Sequence, residues 1–192
     1  LHDCLRARHA GRRALPKLAF SMNAQALSLA ESDSVFREHM RKADYIQADG
    51  QFIVFLSRLS SLRPLPERIA TTDFFHDAAE IARFAGLSFY LLGATEQVNE
   101  RAVSKIRSIY PDLTIAGSRS GYFHRDEEVS VCNEIVDSGA DVLWIGLGKP
   151  AEQSFCIRNL ERLRGVSWVK TCGGLFDFLS GDASRAPRWM QN

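Results

Sequence analysis

Short polar or glycine-rich stretches that could carry chemistry recur along this sequence, each near the end of an apolar run. They contain Ser21, Asn23, Gly50, Gly93, Tyr122, Gly148, Gly173 and Gly174. A glycine before a helix lets backbone N–H groups approach a pyrophosphate, whose charge the helix dipole stabilises. The same glycine can serve only to permit a tight strand-to-helix turn, and neither a complete G-x-G-x-x-G nor a Walker A sequence occurs. Both interpretations of the glycine turns are therefore open.

Asp49 is the carboxylate in the most informative setting, because it lies between a short apolar run and a glycine. A carboxylate there can act as a general base, or it can cap the helix that begins near Phe52 by accepting a backbone N–H. Asp177, set between aromatic residues in LFDFLSG, is either a partly buried partner for a polar group or another helix cap. The residues alone do not decide between these roles.

Apolar runs typical of buried strands alternate with segments of helical spacing, which predicts a parallel sheet with crossover helices. The predicted strands are Leu18–Met22, Tyr45–Gln47, Leu87–Leu92, Leu113–Ser118, Val142–Leu147 and Ser167–Cys172. The predicted helices are Ala24–Arg41, Phe52–Leu59, Asp73–Phe84, Glu96–Ser108, Asp126–Ser138 and Ala151–Arg164. Ligands collect at the carboxyl ends of strands in open sheets of this kind. We therefore predict one α/β domain over residues 1–192, with a largely parallel sheet, helices on both faces, and the polar stretches at one rim.

The composition limits the class of protein. With 192 residues, 45% of them hydrophobic, the chain is long enough for one buried core. A net charge of +1 gives no overall attraction to nucleic acid. A basic cluster from Arg6 to Lys17 is either a solvated helix face or a contact for an anionic surface. Four widely separated cysteines predict neither a zinc site nor a disulfide framework, and a reducing cytosol fits them best.

A series of motifs resembles one known family. Taken in order, SMNAQ, ADG, PLPERIATTDFF, YLLGA, YPDL, GSRSGYF, GADVLWIGLGKPAEQSF and GGLFDFLSGDASRAPRW are similar to the WecG/TagA/CpsF family, glycosyltransferase family 26. The resemblance implies a Rossmann-like fold and an inverting transfer of a sugar from a UDP-sugar to a polyprenyl-diphosphate-linked sugar in bacterial envelope synthesis. It also implies a cytoplasmic protein, peripheral on the inner face of the plasma membrane, that associates into homo-oligomers.

The same resemblance implies roles for individual residues. Asp49 matches the proposed general base, and Ser21 and Asn23 match substrate-pocket positions. Further substrate contacts are implied at Gly50, Arg68, Thr72, Asp73, Gly93, Tyr122, Gly148, Gly173, Gly174, Asp177 and Arg185. Many relatives have Pro-Lys-Gln-Glu where this chain has PAEQ, so either Glu152 or Gln153 is expected to contact the acceptor. Because no D-x-D sequence is present to hold a divalent ion, we expect a metal-independent enzyme whose arginines and backbone amides stabilise the departing UDP.

The C-terminal sequence departs from the family pattern. Relatives continue past an Arg-Ala-Pro-x-x-Trp region into basic amphipathic helices that are thought to dock on the membrane. Here the run from Arg185 to Trp189 is followed by three residues, and we expect that this chain lacks the docking segment. Two other classes stay open. A Rossmann oxidoreductase would need a dinucleotide fingerprint that cannot be assembled, and a non-catalytic nucleotide-binding module would need no carboxylate at Asp49.

Overall fold

Six parallel strands form one sheet in this protein. The computed structural model describes residues 4–6 and 14–183. The order of strands across the sheet is β2-β1-β6-β5-β3-β4, and each neighbouring pair is parallel. The strands are β1 (Lys17–Met22), β2 (Tyr45–Ala48), β3 (Ser88–Gly93), β4 (Thr114–Arg119), β5 (Val142–Gly146) and β6 (Trp168–Thr171). The interior strands β3 and β5 have near-continuous apolar sequences, as expected for strands that are covered on both faces.

Helices cover both faces of this sheet. They are α1 (Ala24–Ser32), α2 (Ser34–Arg41), α3 (Gln51–Ser60), α4 (Thr71–Ala85), α5 (Glu96–Ile109), α6 (Glu128–Asp137), α7 (Ala151–Arg158) and α8 (Leu175–Ser180), with a 3₁₀ helix at Arg125–Glu127. One core layer, around Phe75, Trp144 and Phe176, joins α4, α5 and α8 to the sheet. The other, around Phe36 and Phe155, joins α1, α2, α6 and α7. The predicted α/β class, with a parallel sheet and helices on both faces, is confirmed.

The helix boundaries differ from the predictions most clearly in three places. The segment predicted as one helix over Ala24–Arg41 is two helices, because the Asp33 carboxylate accepts two backbone N–H groups at the start of α2, at 2.8 and 3.1 Å. The helix before β6 ends at Arg158 rather than Arg164. The side-chain amide of the next residue, Asn159, turns back and donates to the Phe155 carbonyl in the last turn of the helix. The helix α4 begins at Thr71, earlier than predicted, which brings Thr71 to the rim of the sheet.

A crevice opens at the carboxyl ends of β1 and β6. These strands are neighbours in the sheet, but the helices that follow them, α1 and α8, belong to opposite core layers. Because the two connections leave in opposite directions, they cannot close over the strand ends between them. This is the position at which open α/β sheets bind ligands.

The four cysteines are buried, and Cys132, Cys156 and Cys172 carry free thiols. Burial raises the pKa of Cys132 to about 12, so this thiol stays protonated at neutral pH. Within residues 4–6 and 14–183, no helix has the length and apolar character needed to cross a membrane.

Candidate functional site

A cavity of about 560 Å³ occupies the crevice and extends along the ends of β2, β1, β6 and β5. This volume lies in the range of ligand pockets for small molecules. Its walls come from five separate segments of the sequence. The residues that line it are Ser21, Asn23, Gln25, Asp49, Arg68, Ala70, Thr71, Thr72, Gly148, Lys149, Cys172, Gly173, Gly174, Leu175 and Phe178.

Asp49 lies in this cavity and does not cap α3. Gly50 holds the cap position of that helix, and no side chain accepts its N–H groups there. The Asp49 carboxylate instead faces the start of α4, where Oδ2 accepts the Thr71 hydroxyl at 2.7 Å and Oδ1 lies 3.4 Å from the Thr71 backbone nitrogen. The position at a helix N-terminus stabilises a negative charge. Because the carboxylate is only partly buried, a ligand in the cavity can reach it.

A buried lysine lies behind Asp49. Lys170 in β6 is 1% exposed, and its Nζ donates to Ser21 Oγ at 2.6 Å and to the Thr171 carbonyl at 2.9 Å. Ser21 Oγ lies 3.1 Å from Thr71 Oγ1, so hydrogen bonds run without a break from Lys170 to Asp49. Burial lowers the pKa of Lys170 to about 8, because desolvation disfavours the charged amine.

Lys170 and Thr71 are absent from the residues that the sequence analysis selected. The available signal for Lys170 is its position inside the short, largely apolar strand WVKT. Thr71 precedes the predicted contacts Thr72 and Asp73, and the start of α4 at Thr71 places its hydroxyl against Asp49. Lys149 lines the cavity from the turn after β5, and it too was not among the predicted contacts.

Two cationic side chains line the cavity. Arg68 lies in the segment that leads into α4, and Lys149 lies in the glycine turn after β5. Both are partly buried. A cavity with one carboxylate and two cations that share its walls suits a ligand with a concentrated negative charge, such as a phosphate or diphosphate.

Three of the predicted polar contacts, Ser21, Asn23 and Thr72, line the same cavity. Asn23 also caps α1, since its Oδ1 accepts the Ala26 N–H at 2.9 Å, which fixes the orientation of its amide. Thr72 lies in the first turn of α4. The cavity therefore joins residues that are far apart in sequence.

Glu152 and Gln153 lie behind the cavity wall, and the expectation that one of them contacts the acceptor stays a prediction. Both side chains are 0% exposed. Glu152 Oε2 accepts the Gly173 N–H at 3.1 Å, and its Oε1 accepts from Gln153 Nε2 at 3.2 Å. Burial raises the pKa of Glu152, because the ionised form loses its hydration. Glu152 thus holds the Gly173 turn through a hydrogen bond, and Gln153 holds Glu152.

A second cavity of about 320 Å³ adjoins the first and shares its glycine turns at Gly148, Gly173 and Gly174. Tyr122 and Asp177 line this second cavity. Of the remaining predicted contacts, Gly50, Asp73 and Gly93 line neither cavity, and Arg185 lies outside the described residues. Within the described ranges, no group of three or more His, Cys, Asp or Glu side chains could hold a metal ion.

Gly93 has a structural reason to be glycine. Its φ is +154°, and a Cβ added there would lie 2.4 Å from the Gly146 carbonyl oxygen. Gly146 is similarly confined, with 2.6 Å from its added Cβ to the Gly173 carbonyl oxygen. These two glycines allow neighbouring strand ends to approach closely. Gly93 therefore has a packing role at the rim, and its predicted contact with a ligand stays a prediction.

Comparisons with known proteins relate this chain to one family. The family described as "Glycosyl transferase WecG/TagA/CpsF family" matches residues 1–192. The chain is 32% identical over 170 residues to the N-acetylglucosaminyldiphosphoundecaprenol N-acetyl-beta-D-mannosaminyltransferase of Bacillus subtilis (strain 168). That match covers 88% of this chain and spans 65% of the relative's length. Among solved structures, unliganded arylmalonate decarboxylase matches over 90% of this chain and 96% of that chain, with a TM-score of 0.38 and 16% identity, a likeness too low to bear on function.

Proposed function

This chain belongs to the WecG/TagA/CpsF family of glycosyl transferases, and we propose that it transfers a hexosyl group from a UDP-sugar to a polyprenyl-diphosphate-linked sugar. The Bacillus subtilis relative is named for transfer of N-acetylmannosamine to N-acetylglucosaminyl-diphospho-undecaprenol. We propose an acceptor of the same chemical class here. The observation that carries the proposal is the single cavity that joins Asp49 to Arg68, Lys149 and the glycine turns.

Asp49 is the proposed general base. An acceptor hydroxyl is a weak nucleophile at neutral pH, and a carboxylate within ~3 Å can take its proton as the new bond forms. The acceptor oxygen bonds to the anomeric carbon, the bond from that carbon to the UDP phosphate oxygen breaks, and the hydroxyl proton passes to Asp49. A single displacement of this kind inverts the anomeric configuration. Thr71 supports the assignment, since it fixes Oδ2 and leaves Oδ1 with only a long contact.

The departing UDP needs a positive environment, because negative charge accumulates on its diphosphate as the bond to the sugar breaks. Arg68 and Lys149 line the cavity, and an arginine can pair with a phosphate through two parallel hydrogen bonds. The Gly173 N–H is already donated to Glu152, so it is not part of the proposed diphosphate site. We propose that the two cations suffice without a metal ion. Unchanged transfer in excess EDTA is the expected result, and a loss that Mg²⁺ or Mn²⁺ restores would contradict it.

A lipid-linked acceptor brings the protein to a membrane surface, and α3 presents a face that fits one. Phe52, Phe55 and Leu59 are 52%, 55% and 71% exposed, and their spacing places them on one side of the helix. Exposed Arg58 and Arg63 in the same region complement anionic lipid headgroups. We propose that this α3 surface lies against the inner face of the membrane, in addition to any C-terminal docking segment.

Vesicle binding tests the α3 surface. Phe55→Ser should weaken co-sedimentation with vesicles that contain anionic lipid, and unchanged binding would remove α3 from the proposal. Size-exclusion chromatography with light scattering tests whether the α3 surface instead joins copies of this chain. If Phe55→Ser instead reduces the mass of a homo-oligomer and leaves vesicle binding unchanged, the surface joins copies of this chain.

Transfer itself is tested with a short-chain polyprenyl-diphosphate N-acetylglucosamine as acceptor. UDP-N-acetylmannosamine, its uronic acid and UDP-glucose are supplied one at a time, and mass spectrometry detects the product. We expect a product one sugar heavier with one of these donors. UDP binding without any product would favour the non-catalytic module, and binding of NAD(H) in place of UDP would favour the oxidoreductase.

A further inference from the structure

Lys170 is a buried ionisable group beside the proposed general base that the mechanism above does not use. It pairs with β1 on one side and β5 on the other, at the register positions Ala19 and Trp144. Its ammonium reaches toward the carboxyl end of the sheet and donates to Ser21 Oγ and to the Thr171 carbonyl. A charged amine is costly to bury, so a buried lysine with well-formed hydrogen bonds is a candidate for a functional role.

The chemistry of the two ends fixes the direction of every hydrogen bond between them. An ammonium group only donates, so Ser21 Oγ must accept from Lys170. An ionised carboxylate only accepts, so the single Thr71 hydroxyl proton goes to Asp49 Oδ2. The Ser21 hydroxyl then donates to Thr71 Oγ1, 3.1 Å away, in preference to the Thr171 carbonyl at 3.5 Å. All the donors therefore point from the lysine toward the aspartate.

We propose that Lys170 is a positioning residue, which acts through Ser21 and Thr71 to hold Asp49 Oδ2 and leave Oδ1 directed at the acceptor hydroxyl. The inference rests on the proposed role of Asp49 as general base. A charged Lys170 keeps the Ser21 proton pointed at Thr71, and Thr71 in turn presents its only proton to the carboxylate. A neutral amine can accept as well as donate, which removes the constraint on the Ser21 hydroxyl.

The charge state of Lys170 depends on groups from several elements. Burial has the largest effect and lowers its pKa to about 8. The other groups that face it are Cys172, Asp49 and Glu152, which raise its pKa, and Lys149, which lowers it, while Asp77 of α4 lines the small apolar cavity beside the lysine stem. The hydrogen-bond direction is therefore fixed below about pH 8 and is lost as the pH rises above it.

Transfer kinetics test the role of Lys170. Lys170→Met keeps an apolar stem of similar length, and we expect kcat to fall about 10- to 100-fold, the size seen when an outer-shell hydrogen-bond partner is lost. KM should change little, because Lys170 does not line the cavity of about 560 Å³. Thr71→Ser keeps a hydroxyl and should retain more activity than Thr71→Val. The exposed Lys105→Met on α5 is the matched control and should behave as the wild type.

The pH dependence separates positioning from a merely structural contribution. In the wild type, kcat should decline above about pH 8 as Lys170 loses its proton. Both Lys170→Met and Ser21→Ala should lack that decline, since the first removes the amine and the second severs its contact. A Ser21→Ala enzyme that keeps the decline would show that Lys170 does not act through Ser21, and kcat of Lys170→Met within twofold of the wild type would overturn the proposal.

A substrate-free measurement distinguishes failure of this proposal from failure of the proposed function. The Lys170 side chain, labelled with ¹³C at Cε, is titrated by NMR in the wild type, Asp49→Asn and Ser21→Ala. Both substitutions should lower the midpoint of Lys170, because each removes a group that stabilises the ammonium. A midpoint near that of an ordinary lysine, unmoved by either change, would overturn the coupling between Lys170 and Asp49 even if transfer is never observed.

Discussion

Replacing Lys170 by methionine should change the pH dependence of stability by a defined amount. Burial lowers the pKa of Lys170 from 10.5 to about 8. Between these values the unfolded chain holds a proton that the folded chain has released, so the free energy of unfolding of the wild type rises with pH. Each pH unit is worth about 1.4 kcal/mol, so the rise attributable to Lys170 is about 3 kcal/mol. Lys170→Met lacks this contribution.

Urea denaturation at intervals from pH 7 to pH 10.5 measures the effect. The quantity to follow is the difference in unfolding free energy between the wild type and Lys170→Met. The buried thiols have raised pKa values, so they lower the free energy of unfolding as the pH rises into the alkaline range. Because both proteins contain these thiols, their effect largely cancels in the difference. Lys105→Met is the control for loss of an exposed amine, and should give a flat difference. A flat difference for Lys170→Met would refute the burial of a charged amine in β6.

Two further predictions concern the residues that form the rim. Gly146→Ala should destabilise the protein by about 3 kcal/mol, at the upper end of the cost of overpacking, since its Cβ would lie 2.6 Å from the Gly173 carbonyl oxygen, a backbone atom that cannot easily move. Gly148→Ala, with φ +75° but open space around its Cβ, should cost only about 1–2 kcal/mol of backbone strain, and an equal loss in both would contradict the packing argument. Glu152→Gln should stabilise the protein by about 1–2 kcal/mol at pH 8, because it removes a buried charge, still accepts the Gly173 N–H, and can donate to Oε1 of Gln153 once the Gln153 amide turns over to present that oxygen. Thermal unfolding should show this gain shrinking as the pH falls through the raised pKa of Glu152, and a lower Tm at pH 8 would count against it.

The fold was predictable because two simple patterns agree. Apolar runs such as VLWIG mark strands that both core layers cover, and their alternation with amphipathic segments specifies a parallel sheet. Parallel strands place their carboxyl ends together, which is why polar residues selected one by one, such as Ser21, Asp49 and Gly148, lie in one cavity. The pattern of apolar residues is helical on both sides of Asp33, so the sequence does not predict a break there. The break depends on the Asp33 side chain, which accepts backbone N–H groups at the start of α2.

The remaining parts of the site depend on contacts between distant segments. The sequence allows Asp49 to cap the helix that follows it, whereas its carboxylate faces α4. Glu152 lies in the first turn of a helix, where a charged residue is usually exposed. It is buried because the turn after β6 packs over it. Lys170 is likewise buried between α4 and β1, and although its place in an apolar strand signals burial, the sequence around it does not reveal the hydrogen bond to Ser21. The orientation and burial of these three side chains therefore depend on the tertiary structure.

The most direct test of the account compares Asp49→Asn with Asp44→Asn in single-turnover transfer and in UDP binding. Asp44 lies at the opposite end of β2 from the cavity, where it pairs with Lys17 at 2.6 Å, so it supplies the same chemical change outside the site. We predict that Asp49→Asn slows transfer by about 10²- to 10⁴-fold with UDP affinity unchanged, and that Asp44→Asn affects neither. Transfer by Asp49→Asn at close to the wild-type rate would contradict the claim that this carboxylate deprotonates the acceptor.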